Sequence, residues 1–92
     1  VNKKNEDNLI TQNLNIDIIK IYNEEQVFLI LDSLKKGNPI LVNLDETKKD
    51  INLMKIIIGN IEAGAYALNS KKYSLSETYI LFLPLNISIK EL

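Results

Sequence analysis

Residues 16–44 read IDIIKIYNEEQVFLILDSLKKGNPILVNL, and this stretch decides the fold. Ile16–Tyr22 alternates like a β-strand with two unequal faces. Ile16, Ile18 and Ile21 are expected on one face, and Asp17 and Lys20 interrupt the pattern. Asn23 offers a helix N-cap, Glu24 and Glu25 suit the positive helix end, and Gln26 can close a capping box. Val27, Ile30, Leu31 and Leu34 then recur at helical spacing. Lys35 and Lys36 suit the negative end, and Gly37 stands where a left-handed C′ residue is needed. After the Asn38-Pro39 turn, Ile40–Leu44 is a short apolar run, as expected of a central strand buried on both faces. A strand, a helix and a second strand joined this way form a right-handed parallel crossover.

Working outward from this unit, a charged loop (Asp45–Lys49) leads to Asp50, which is expected to cap a second helix over Ile51–Ala67. Ile51, Met54, Ile58 and Ile61 make one stripe on it, while Leu53, Ile57 and Gly64 lie off that stripe and Ile56 widens the apolar surface. A helix covering one sheet needs about a third of its circumference apolar, so this one predicts burial on two sides. The second side is most simply another subunit. Gly59 and Ala63, four residues apart, would let two backbones approach; the alternative is that Gly59 is a tolerated defect and the excess of isoleucine a matter of composition. Asn69-Ser70 marks a turn, Lys71–Tyr73 a strand, Ser76-Glu77 a hairpin turn and Thr78–Leu83 a strong β run that Pro84 ends. Leu85–Ile89 alternates again and can add a fifth, edge strand. The expected fold is a two-layer α/β sandwich, order β-α-β-α-β-β, with both helices on one face of the sheet. Residues 1–15 are polar and Asn-rich and read as a partly disordered linker, leaving 16–92 as the folded domain. The chain opens on Val1 rather than Met, and we read it as a domain from within a longer protein.

Composition removes several chemistries. The 92 residues contain no Cys and no His, so there is no thiol nucleophile, no disulfide and no imidazole acid/base or metal ligand. All 11 basic residues are Lys, which removes bidentate Arg recognition of phosphate or guanine. A net charge of −1 gives no electrostatic footprint for nucleic acid. Asp45, Glu46 and Asp50 form an acidic group without EF-hand spacing, which reads as a solvated loop plus a cap. Gly59 and Gly64 have phosphate-loop spacing, but Ala65-Tyr66 follows in place of Lys-Ser/Thr and both glycines fall inside a helix. Ser74 and Ser76 have no activating base. No metal, cofactor or catalytic residue is expected. Lys55 reads either as a snorkelling surface lysine or as a cation beside an apolar groove. Tyr66 reads as core or as a groove rim.

Ile40–Leu44, Asp50, the run Glu62-Ala63-Gly64-Ala65-Tyr66-Ala67-Leu68 and Tyr79–Pro84 occur in an order and spacing that resemble the C-terminal domain of the SepF cell-division family. The resemblance covers residues 16–89. It implies a non-enzymatic, cytoplasmic adaptor at the inner face of the membrane. Such a domain dimerises, assembles into higher polymers in some members, and binds the C-terminal tail of FtsZ. The lipid-binding helix would lie upstream of this chain. Lys55 falls where the family carries a basic residue toward the FtsZ tail, and Tyr66 and Gly64 match a family aromatic and one of its paired glycines. Asn60, Ala63 and Asn69-Ser70 depart from the family pattern. On this reading Lys55, Ile58, Ile61 and Tyr66 contact the partner peptide, and Met54, Ile57, Gly59, Ile61, Ala63 and Gly64 form the dimer seam. A small-molecule-sensing domain and a purely structural dimerisation domain are the alternatives.

Overall fold

The computed structural model describes residues 15–92, so the linker expected over 1–15 lies, but for its last residue, outside the described residues. Asn23 is extended and accepts a hydrogen bond at Oδ1 from the Glu25 N–H (3.1 Å), while Gln26 Oε1 accepts from the Asn23 N–H (3.1 Å). This capping box starts a 3₁₀ turn, Glu24–Gln26, which runs into α1, Val27–Lys35. Gly37 ends the helix at φ 86°, and Asn38 N–H closes back on the Ser33 carbonyl (3.0 Å). On the last turn Asp32 pairs with Lys36, and its hydrogen bond and charge raise the Lys36 pKa.

The remaining elements are β1 (Asp17–Lys20), β2 (Ile40–Asn43), a 3₁₀ turn (Thr47–Lys49), α2 (Ile51–Ala67), β3 (Lys71–Ser74) and β4 (Tyr79–Leu83). They form a four-stranded sheet in the order β1-β2-β4-β3, with β1 parallel to β2 and the other pairings antiparallel. Asp50 Oδ1 accepts the Leu53 N–H (3.1 Å) at the start of α2. Asn69, left-handed at φ 57°, ends it, with Ser70 N–H returning to the Ala65 carbonyl (2.9 Å). Both helices cover one face, where Ile30, Leu34, Ile57, Ile61 and Ala65 close over Ile21, Val42, Leu44, Ile80 and Phe82.

Three expectations need correction. Ile16 and Ile18 do not share a face with Ile21. The register sets Asp17 and Ile19 beside Ile40 and Val42, so the odd positions face the helices. Ile21 is fully buried, while Ile16 and Ile18 are exposed. Even and odd positions of an unbulged strand point to opposite faces. Asp17 itself is tied to α1, accepting from Ser33 Oγ (2.8 Å). β2 is buried on one face only: Ile40, Val42 and Leu44 are buried, whereas Leu41 and Asn43 are half-buried on the side without helices. Leu85–Ile89 adds no strand. Pro84 instead closes a turn, its carbonyl accepting the Ile87 N–H (3.1 Å). Both sides of β4 are already taken, by β2 and β3.

Candidate functional site

α2 carries both fully buried and strongly exposed apolar side chains. Ile57 and Ile61 are its most buried residues, at 0% and 1% exposure, with Ala65 continuing the line one turn on. Ile61 therefore supports the helix from below and offers no surface to a peptide, and neither Ile57 nor Ile61 offers surface to a second subunit. Gly64 is also spent inside the protomer. It packs under Leu31 of α1, so close that a Cβ there would lie 2.5 Å from Leu31 Cδ1.

The other flank of α2 faces the β3–β4 hairpin. Met54 and Ile51 line a shallow cleft of about 440 Å³ with Lys48, Glu77 and Thr78. Further along, Glu62, Ala65 and Tyr66 line one of about 220 Å³ with Ser70, Lys72 and Phe82. The Glu62 carboxylate and the Lys72 ammonium form an ion pair that joins the helix to β3. Ile58 is half-buried, one helical turn from both Met54 and Glu62, and so belongs to this flank. Lys55, Ile58, Glu62 and Tyr66 (spacings of three and four) form one stripe along the upper rim. Lys55 is exposed and Tyr66 is 84% exposed, so Tyr66 stands at a rim and not in the core. Three of the four expected peptide contacts thus share a stripe.

Of the expected seam, Gly59 and Ala63 are exposed on the outermost ridge of α2, and Met54 is half-buried on the hairpin flank. A Cβ on Gly59 would meet nothing within 4 Å. In the isolated protomer Gly59→Ala is therefore expected to stabilise by about 0.5–1 kcal/mol, the helix-propensity difference. Thermal unfolding at low protein concentration checks this. A lower Tm would show that the ridge is packed against something.

The acidic group does not converge on a site. Asp50 caps α2, Glu46 pairs with Lys49 (3.1 Å), and among the described residues no three carboxylates cluster. Sequence reasoning missed Phe28, which is 78% exposed and forms, with Leu31 of α1 and Asn60 of α2, part of another cleft of about 440 Å³. The signal was present: Phe28 is a bulky aromatic lying off the apolar stripe of α1. Asn60 lines that same cleft.

These features define a small two-layer α/β domain whose distinguishing surfaces are the ridge and flanks of one helix. The family model for cell division protein SepF matches residues 16–89. A SepF from Pelotomaculum thermopropionicum is 35% identical over 65 residues, which are 71% of this chain and 42% of that protein. The chain thus spans less than half the length of that relative. The chain belongs to the SepF cell-division family. Its fold matches SepF-like proteins from Archaeoglobus fulgidus (TM-score 0.75, 17% identity, 82% of this chain and 90% of that one) and Pyrococcus furiosus (0.75, 23%, 86% and 96%). It also matches the SepF from Methanobrevibacter smithii solved in complex with FtsZ-CTD (0.72, 17%, 83% and 96%).

Proposed function

We propose that this domain is a dimeric adaptor of cell division that binds the C-terminal tail of FtsZ along the hairpin flank of α2. The observation that carries the reading is the open stripe of Lys55, Ile58 and Tyr66 above two shallow clefts, with a cation at one end and an aromatic at the other. A cation beside apolar side chains suits a short peptide of mixed apolar and acidic character. Family membership and the M. smithii complex with FtsZ-CTD support the choice of partner. The exposed ridge of Gly59 and Ala63 supports helix-to-helix self-association. Attachment to the membrane is assigned to a segment outside these residues. Among the described residues no helix is long and apolar enough to cross a membrane.

One peptide per site should bind at about micromolar Kd, about −8 kcal/mol, with avidity added where many dimers meet one filament. Fluorescence anisotropy with a labelled FtsZ tail peptide from the same organism tests this. Lys55→Glu is expected to weaken binding about tenfold or more, since it turns an attraction into a repulsion, and to leave the Tm near that of the parent because the side chain is exposed. Unchanged affinity in a folded Lys55→Glu protein counts against the stripe. A folded parent that binds no tail peptide, and sediments as a dimer, moves the function to self-association.

A further inference from the structure

The sheet has two outer strands, and their free sides differ. At β1, Ile21 N–H donates to the Asn43 carbonyl, so the Lys20 carbonyl turns outward, and Gln26 Nε2 occupies it at 3.0 Å. That edge is partly closed by the capping box. β3 has no such cover. Leu75 N–H donates to the Tyr79 carbonyl (2.8 Å), which fixes the phase of the antiparallel ladder. Pairs two residues apart repeat the bonding, so Tyr73–Leu81 and Lys71–Leu83 exchange hydrogen bonds across to β4. The N–H and C=O groups of Lys72 and Ser74 must then point away from the sheet. Among the described residues no backbone or side-chain group bonds them.

Along this edge Lys72 and Ser74 carry their side chains on the helix-covered face, and Lys71 and Tyr73 carry theirs on the other, where Lys71 Nζ donates to the Ile87 carbonyl (3.4 Å). Lys72 is in register with Phe82, and the cleft of about 220 Å³ between Lys72, Ser70, Tyr66 and Glu62 opens next to it. That volume accepts one apolar side chain. Ser70 Oγ, at the start of the strand, is buried with no hydrogen-bond partner. The charge around the edge is positive. Lys72 is matched by Glu62, whereas Lys71 and Lys55 have no carboxylate within ion-pair distance among the described residues.

We propose that the partner peptide binds as an added strand on β3, taking its main-chain hydrogen bonds from Lys72 and Ser74 and placing one apolar side chain in the cleft beneath Tyr66. The occupant is an extended, acidic segment. Its charge complements Lys55 and Lys71, and its alternation puts every second side chain on the cleft side. The proposal rests on the FtsZ-tail reading above and adds the mode of binding, so the probe is the same labelled tail peptide.

The test uses proline at adjacent positions. Ser74→Pro removes an N–H that β4 does not use, and proline is tolerated on the solvent side of an edge strand. The variant is expected to fold and to bind the peptide at least about tenfold more weakly, having lost one main-chain bond and gained a ring in the path of the added strand. Hydrogen exchange on the parent protein gives the second readout: saturating peptide should slow exchange at the Lys72 and Ser74 amides. Tail binding with neither amide protected, or with unchanged affinity in Ser74→Pro, overturns the strand-addition mode and leaves the FtsZ reading standing. Protection of both amides in the peptide-free protein also overturns the mode, because the edge would already be occupied by a second copy. No tail binding by the parent overturns both. Should Ser74→Pro fail to fold, the exchange measurement on the parent decides alone.

Discussion

Ile61→Ala is expected to lower the unfolding free energy by about 2–5 kcal/mol, the range for truncating a buried Ile. Ile61 is 1% exposed and belongs to the cluster with Ile57, Val42, Ile80 and Phe82, so three methyl or methylene groups are lost from a site already closed on all sides. The neighbours come from both helices and the sheet, and they collapse into the space only partly. In a domain of this size each kcal/mol moves Tm by about 4–8 °C. Urea and thermal unfolding of the parent, Ile61→Ala and Ile58→Ala should rank Ile61→Ala as the most damaging, since Ile58 is only half-buried. A folded Ile61→Ala protein with the parent Tm and weakened peptide binding would place Ile61 on the surface and reverse the assignment.

That contrast between Ile58 and Ile61 marks where sequence reading stopped. The element order, both caps and the bounds of α2 were legible because local signals agree: Asp50 before the helix, Asn69 after it, Asn23 and Gln26 three apart, and Gly37 at a left-handed position. The side of α2 that meets the sheet was not legible. Almost every turn of this helix carries isoleucine, so a stripe through Ile51, Met54, Ile58 and Ile61 fits a 3.6-residue period nearly as well as the true line Ile57, Ile61 and Ala65. Only the packing of α1 and the sheet chooses between them. β1 failed for a related reason: isoleucines at 16, 18, 19 and 21 give both faces an apolar series, and the choice is made by the register with β2 and by the Ser33 hydrogen bond to Asp17. Sequence left Lys55 and Tyr66 open between bland and rim readings, because a polar-tipped side chain in an apolar run fits either, and the structure shows only that both are exposed. The Glu62–Lys72 pair was invisible because it joins two elements whose approach the sequence does not state.

Gly64→Val is expected to destabilise the domain by about 2–3 kcal/mol, by forcing α1 and α2 apart. A Cβ at Gly64 would sit 2.5 and 2.6 Å from the Leu31 methyl carbons and 3.1 Å from Leu31 Cγ. Gly64→Ala crowds both methyls and the Cγ of Leu31, so that half-buried side chain must shift as a whole, and against this cost it gains about 1 kcal/mol of helix propensity. Its net effect should fall within about 1 kcal/mol of zero. Valine adds two branched methyls that rotation of Leu31 cannot clear. The decisive measurement is a double-mutant cycle with Leu31→Ala, read by urea unfolding. If the crowding is between these two side chains, the double variant recovers at least about 1 kcal/mol relative to the sum of the singles. Additivity would remove the close helix approach as the cause. Sedimentation of the same proteins separates the protomer's own packing from the dimer seam to which sequence reading assigned Gly64. A glycine at the seam would shift the monomer–dimer equilibrium while Tm at low concentration held. Replacing a glycine that lies under Leu31 with valine lowers Tm at every concentration, because the contact it disturbs lies within a single chain.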